Sequence, residues 1–135
     1  MPRVKLAISE KLDSVKTLFE SKNVIFPPDK LFLRAFKAER ILEVWSKNAE
    51  TDTFTFITSY EFCASSGYSG PKRKQGDLQI PEGFYFITGF NPFSKFYLSL
   101  RINYPNDLDE LLGDQDNPGG DIFIHGDCVT IGCIP

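Results

Sequence analysis

The chain has 135 residues, of which 41% are hydrophobic, 14% aromatic and 24% charged, and its formal net charge is −3. This length corresponds to one domain, and the composition excludes a disordered, collagen-like or disulfide-packed miniprotein. The negative charge gives no overall attraction to nucleic acid, and no apolar run approaches the ~18 residues of a membrane span. We expect a single domain over residues 1–135, monomeric, without a nucleic-acid partner or a membrane span.

The chain begins with a helical pattern and continues mainly as strands. Leu12, Val15 and Phe19 recur at helical spacing, which predicts an amphipathic helix over about residues 10–21. Alternating and β-branched or aromatic patterns then predict strands, over residues 31–37, 40–45, 53–60, 84–88, 96–102 and 122–124. A short polar break between the first two strands predicts a hairpin.

Two segments interrupt the strand pattern. Residues 64–83 hold four glycines and two prolines, and long ordered loops in compact domains are usually functional. Asn106 is an N-cap for a short helix near residues 106–112 that ends at Gly113. These elements together predict a mainly β, α+β fold, a mixed sandwich or open barrel with an N-terminal helix and one short second helix.

The last eleven residues contain the only histidine and two of the three cysteines. His125 ends a predicted buried strand, eight residues before Cys133, which follows Gly132. A thiol is mostly protonated at pH 7, and a nearby imidazole can take its proton and leave an ion pair. Gly132 would let the backbone approach a substrate, with the Cys133 amide directed at a developing oxyanion. The pattern is therefore compatible with a nucleophilic cysteine.

Other interpretations of the same residues stay open on spacing alone. The cysteines can be small core residues, or Cys128 and Cys133 can form a disulfide. A zinc site from His125, Cys128 and Cys133 would have only three ligands at an unusual spacing. Cys63 follows a strand, and we expect a structural role for it. Three cysteines cannot all pair within one chain.

The segment IHGDCVTIGC, residues 124–133, resembles the active-site motif of the L,D-transpeptidases, the YkuD-type peptidoglycan enzymes, and in particular their YafK-like branch. Three further blocks resemble that branch in the same order along the chain. They are FKAERILEVW, SGYSGPKRKQGDLQIPEGFYFI and NPFSKFYLSLRINYPN. The four blocks extend the resemblance over residues 31–135, and it implies an L,D-transpeptidase-like catalytic domain.

The resemblance also implies a role for each matching residue. Cys133 takes the position of the nucleophile and His125 that of the base, while the carbonyl of Gly126 helps to orient the imidazole. Thr130 braces the loop, and the amides of Gly132 and Cys133 form the oxyanion hole. No metal and no organic cofactor is implied.

The implied activity is acyl transfer on peptidoglycan stem peptides, through a thioacyl-enzyme that an amine resolves. Lys72 and Tyr104 are candidate substrate-binding residues, because a lysine attracts peptide carboxylates and a tyrosine can stack at a cleft rim. The alternatives are a hydrolase of the same fold, a non-catalytic wall-binding module, and a zinc or redox protein. The implied location is the periplasm or cell envelope. Because the chain stops just after a cysteine-bearing loop, we expect later residues to be missing. Because no apolar leader is visible, either the protein stays inside the cell or a leader has been removed.

Overall fold

The helices and strands of the computed structural model, which describes residues 1–135, fall into two units, Met1–Glu61 and Phe62–Pro135. The first unit contains α1 (Pro2–Ser21), β1 (Lys30–Phe36), β2 (Ile41–Lys47) and β3 (Thr55–Glu61). The second unit contains β4 (Ile87–Asn91), β5 (Ser99–Ile102), α2 (Asp107–Leu112) and β6 (Phe123–His125). Each unit has one three-stranded antiparallel sheet, in the orders β1-β2-β3 and β4-β5-β6. The predicted α+β class, with an N-terminal helix and a short second helix, is confirmed.

Helix α1 begins at Pro2, earlier than the predicted start near residue 10. Proline fits the first turn because its φ is already helical and its missing N–H would have no intrahelical acceptor there. Leu6 and Ile8, two apolar residues of this early part, are exposed. They do not belong to a face that packs on the core, and the prediction relied on such a face. The stripe that the sequence does show, including Val15 and Phe19, is the part of the helix that packs.

The core of the first unit joins α1 to its sheet. Phe19, Val24 and Ile57 are buried together, and Val44 packs against them. The predicted β1–β2 hairpin is confirmed, and the pairing of β2 with β3 shifts register between Val44 and Trp45. Such a β-bulge leaves one residue without a cross-strand partner; here that residue is Ile57, which is 2% exposed.

Strand β5 is shorter than predicted, because the chain turns where the sequence alternates. The pattern over residues 96–102 predicts one long strand, but the ladder begins at Ser99. Tyr97 has a φ of +72°, which no regular strand allows. The Ser94 hydroxyl accepts the Phe96 N–H at 3.1 Å, and local side-chain bonds of this kind compete with a sheet ladder.

Strand β4 lies further along the chain than residues 84–88, because its regular ladder begins only at Ile87. The preceding residue, Phe86, is paired through the side chain of Asn103 instead of a regular ladder. The Phe86 N–H donates to Asn103 Oδ1 at 2.6 Å, and the Phe86 carbonyl accepts the Asn103 N–H at 3.0 Å. Phe86 is therefore hydrogen-bonded to Asn103 without being part of the regular ladder of β4.

Helix α2 is held by its N-cap, as the sequence predicts. Asn106 Oδ1 accepts the N–H groups of Leu108 and Asp109 at 3.0 and 3.1 Å, and Asp109 Oδ2 accepts the Asn106 N–H at 3.1 Å. This reciprocal pair is a capping box, which satisfies donors that a helix start leaves unpaired. Asp109 also accepts the hydroxyl of Tyr85 at 3.1 Å. Neither helix of the structure has the length and apolar character needed to cross a membrane.

Candidate active site

The end of β6 and the last residues of the chain form a short fold-back that carries His125 and Cys133. The Ile134 N–H donates to the Phe123 carbonyl at 2.9 Å, and the His125 N–H donates to the Ile134 carbonyl at 3.0 Å. These bonds make a parallel bridge between Ile124 and Ile134. His125 directly follows one bridged residue and Cys133 directly precedes the other, so the bridge brings these two stretches of backbone side by side. The eight-residue fold-back thus brings the backbone of the predicted base close to that of the predicted nucleophile.

His125 is buried and held on two sides. Its ring stacks on Phe96, with 4.6 Å between ring centroids and 24° between the planes, and Nδ1 accepts the Asp127 N–H at 3.4 Å. Burial lowers the pKa of His125, although the nearby Asp127 charge opposes that shift. The imidazole is therefore neutral at pH 7, which is the form that can accept a proton.

Cys133 is the free thiol of the chain, and its surroundings keep it protonated. Burial raises the pKa of Cys133, the positive charge of Lys72 lowers it, and the negative charge of Asp121 raises it further. The thiol contacts the Asp121 carbonyl, with 3.9 Å between Sγ and the oxygen. The resting pair is therefore a neutral thiol and a neutral imidazole, rather than the ion pair that the sequence suggested.

The loop between the two residues is braced by Thr130, in the way that the resemblance implies. Thr130 Oγ1 donates to the Cys133 carbonyl at 2.7 Å and accepts the Gly132 N–H at 3.1 Å. The Gly132 N–H was expected to donate to the oxyanion. In this conformation it donates to Thr130 instead and is not available for that role. The amide of Cys133 is the remaining candidate for that role. Gly126 was expected to orient the imidazole, but the hydrogen bond to the ring that the structure shows comes from Asp127.

Gly132 has a second role that explains why a glycine precedes Cys133. Its φ is +135°, and a Cβ built there would lie 3.1 Å from the Gln79 carbonyl oxygen. A side chain at this position would therefore be strained by the backbone and crowded by its neighbour. The close approach also places the loop of residues 64–83 directly beside the nucleophile.

Cys63 and Cys128 form a disulfide, with 5.3 Å between their Cα atoms. The possible Cys128–Cys133 disulfide is therefore wrong for this structure, and Cys63 is a covalent partner of the loop rather than a core thiol. The zinc alternative loses one of its three ligands, because a disulfide sulfur is not the thiolate that binds zinc. No sequence argument distinguished this pairing, since 65 residues separate the two cysteines.

Lys72 lies in the loop next to the site, but its ammonium group is already paired. Nζ donates to Asp77 Oδ1 at 2.7 Å and to the Lys74 carbonyl at 2.9 Å, and the residue is 4% exposed. Burial alone would raise the pKa of Asp77, but hydrogen bonds from the Arg73 amide, Lys72 and other loop amides hold it well below its usual range. Lys72 is thus a buried ammonium group that stabilises the loop through Asp77. A direct contact between Lys72 and substrate stays a prediction.

The structure places Tyr104 in the core of the second unit rather than at an exposed rim. It is buried with Ile102 and Ile122, and its hydroxyl donates to the Pro118 carbonyl at 2.9 Å. Burial, followed by the charge of Asp109, raises the pKa of Tyr104 to about 12.

Three residues around the site, Phe96, Asp121 and Asp127, had no distinguishing signal in the sequence, because their roles depend on contacts that only the fold creates.

Comparisons with known proteins agree with this fold and these motifs. The chain is 39% identical over 105 residues to the protein named "Putative L,D-transpeptidase YafK" from Escherichia coli K12, a match that covers 76% of this chain and 41% of that protein. The chain therefore spans less than half the length of the curated relatives that it matches. No protein-family profile matches the chain.

Two solved structures have a similar fold. One is the helical cell shape determining protein Pgp2 from Campylobacter jejuni, with a TM-score of 0.59 and 26% identity, covering 90% of this chain and 45% of that one. The other is Bd1075 from Bdellovibrio bacteriovorus, with a TM-score of 0.54 and 25% identity, covering 78% and 39%. The resemblance that the motifs indicated is thus confirmed: the chain is related to the L,D-transpeptidases of the YafK-like branch and has an L,D-transpeptidase-like fold.

Proposed function

We propose that this chain carries the cysteine-histidine site of an enzyme that transfers acyl groups between peptidoglycan stem peptides. The observation that supports the proposal is the fold-back, whose bridge lies next to both the only histidine and the free thiol. The similarity to YafK supports the substrate class, since that protein is named as an L,D-transpeptidase.

The proposed first half-reaction forms a thioester. The His125 imidazole takes the proton of Cys133 Sγ on Nδ1, its unprotonated nitrogen, which releases the Asp127 N–H. At the same time the sulfur attacks the carbonyl carbon of the third, L-centred residue of a stem peptide. The Cys133 N–H donates to the oxygen that becomes negative. When the intermediate collapses, the C–N bond breaks, the amine of D-alanine leaves, and it takes the proton from His125.

The second half-reaction restores the thiol. The amine of another stem attacks the thioester carbon and gives a proton to His125, and the carbon–sulfur bond breaks. The leaving sulfur then takes this proton back. With water in place of the amine the same steps hydrolyse the thioester, so the products distinguish a transpeptidase from a hydrolase.

The disulfide supports the proposed location in the periplasm or cell envelope. Disulfides persist in oxidising compartments and are rare in the reducing cytosol. The Cys63–Cys128 bond joins residues far apart in the sequence, so it would have to form after the second unit has folded or while it folds. An oxidising envelope compartment provides those conditions.

The test is mass spectrometry of the chain after incubation with a tetrapeptide stem fragment. We expect an adduct with the mass of the stem minus D-alanine, mapped to Cys133 and released by hydroxylamine. Cys133→Ala should form none, and His125→Ala should form it about 10²–10⁴-fold more slowly, as expected for loss of a general base. An adduct on another residue, or an unchanged rate in Cys133→Ala, would contradict the proposal. A non-catalytic wall-binding module would bind the fragment without forming any adduct.

A further inference from the structure

The loop of residues 126–132 has little packing to hold it in place. Its side chains Val129 and Ile131 are exposed, the latter by 79%. Within the loop, the Cys128 N–H donates to Asp127 Oδ1 at 2.8 Å, and Thr130 makes the two bonds described above. Exposed apolar side chains contribute little to fixing a conformation, because they remove little surface from water. The loop therefore depends on its other attachments.

The Cys63–Cys128 disulfide is the covalent attachment in the middle of this loop. Cys128 is three residues from His125 and five residues from Cys133 in the sequence. At the other end of the bond, Cys63 directly follows Phe62, which is 5% exposed. Cys63 itself is exposed, so the bond ties the exposed loop to the residue that follows a buried side chain.

The contact that orients His125 lies directly beside this attachment. The Asp127 N–H that donates to His125 Nδ1 belongs to the residue that precedes Cys128. If the loop moved at Cys128, this donor would move with it, and so would the chain leading to Thr130 and Cys133. Small displacements of reacting groups are enough to slow an enzyme strongly.

We propose that Cys63 and Cys128 are positioning residues, whose disulfide holds the loop of residues 126–132 so that His125 and Cys133 can react together. The inference rests on the proposed function and adds a redox dependence to that same site. A dithiol reductant breaks the sulfur–sulfur bond, delivers two electrons and two protons to form two thiols, and itself becomes a cyclic disulfide. Oxidised glutathione reverses the change through mixed disulfides and is released as two reduced molecules.

The experiment compares the 135-residue chain in its oxidised form, after dithiothreitol, and after re-oxidation with mapped Cys63–Cys128 pairing. Rates of single-turnover acylation by a tetrapeptide stem are measured well below the melting temperature of every form, with circular dichroism to confirm folding. We expect reduction to lower the rate about tenfold to hundredfold and re-oxidation to restore it. The double variant Cys63→Ser/Cys128→Ser should match the reduced chain and not respond to dithiothreitol. Val129→Ala, an exposed change beside Cys128, should keep the parent rate.

Amide hydrogen exchange gives a readout that does not need activity. Reduction should increase exchange in the loop of residues 126–132 while β5 stays protected. A folded double variant with the parent acylation rate, or a reduced chain with unchanged exchange in the loop, would overturn the inference. If the double variant does not fold, the acylation rate and the loop exchange of the reduced parent chain test the inference instead. If the oxidised chain forms no acyl adduct at all, the proposed function fails, and exchange in the loop still shows whether the disulfide holds it.

Discussion

At the residue scale, the two groups expected to react both rest in their uncharged forms. Burial lowers the pKa of His125 and raises the pKa of Cys133. A preformed thiolate would attack with no base needed, whereas a neutral thiol must lose its proton as the sulfur attacks. In the proposed mechanism the histidine is therefore needed at the moment of reaction, and its pKa should be visible in the pH dependence of activity.

We expect the acid limb of the pH profile of kcat/KM to lie below pH 6.5, the ordinary pKa of histidine. The sign follows from burial: a lowered pKa keeps the imidazole unprotonated, and so able to accept a proton, in more acidic solution. Phe96→Ala removes the stacked ring and should move the limb upwards, whereas Phe93→Ala, at an exposed position, should not. A limb at or above pH 6.5 in the unmodified chain would contradict this prediction.

Gly132→Ala should destabilise the chain and slow acylation. The backbone φ of +135° and the contact of 3.1 Å with the Gln79 carbonyl both oppose a Cβ, and strain of this kind costs about 1–3 kcal/mol. Urea unfolding measures the change in free energy. Gly120→Ala is the matched control, because a Cβ there meets nothing within 4 Å; equal effects of the two substitutions would show that the close approach is unimportant.

At the scale of elements, the loop of residues 64–83 is organised around one buried ion pair. Asp77 accepts hydrogen bonds from Lys72 and from the amides of Arg73, Lys74 and Gln79. The same loop meets the residue before Cys133, since Gln79 presents its carbonyl to Gly132. Lys72, a candidate substrate-binding residue, is thus also a structural feature of the loop.

Asp77→Asn should lower the free energy of unfolding by about 3 kcal/mol, because it leaves the buried Lys72 charge without its partner. Lys74→Met, which removes an exposed ammonium, should change it by less than about 0.5 kcal/mol. The pKa of Asp77 is lower in the folded chain than its unfolded value of 3.8, so ionised Asp77 stabilises the fold above that pH. This stabilisation is lost as the pH falls below 3.8. Chemical unfolding as a function of pH should show a weaker acid dependence in Asp77→Asn, and an unchanged profile would rule out this role.

Asn106→Ala tests the start of α2. It removes the oxygen that accepts two helix N–H groups and breaks the capping box, so we expect a loss of about 1 kcal/mol in unfolding free energy. Leu111→Ala, on an exposed position of the same helix, should have a smaller effect. Thermal unfolding followed by circular dichroism compares the two, and the opposite order would argue against capping as the source of stability.

At the scale of the whole molecule, most of the phenylalanines lie outside the buried core. The chain has 13 phenylalanines, but the buried ones are Phe19 and Phe62. Large exposed aromatic side chains occur in both units, at Phe32, Phe54, Phe56, Phe84, Phe86, Phe90 and Phe93. Three of the six residues in the buried clusters of the two units are isoleucines, and one, Phe19, is a phenylalanine.

With cores of this size, the disulfide should contribute strongly to stability. It closes a segment with a sequence separation of 65 residues inside the second unit, and removing a native disulfide typically costs about 2–5 kcal/mol. Reduction should therefore lower the free energy of unfolding by that amount in urea titrations. A reduced chain as stable as the oxidised one would contradict this expectation.

The sequence by itself determined the residues that correspond to a catalytic motif and most of the regular elements. His125, Thr130 and Cys133 could be named because they match a short motif of a known family, and the α2 cap could be named because its bonds join near neighbours in the chain. The β1–β2 hairpin and the antiparallel strands followed from local alternation in the same way. The roles of His125 and Cys133 in catalysis stay a proposal that the fold-back supports.

The tertiary structure alone decided which groups are buried, charged or covalently paired. The Cys63–Cys128 bond, the stacking of Phe96 on His125 and the contact of Gln79 with Gly132 join residues that are distant in sequence. Local patterns carry no information on such pairs, and the protonation state of a buried group depends on all its neighbours at once. For this reason the candidate residues could be named from the sequence, whereas their resting state and their supports could not.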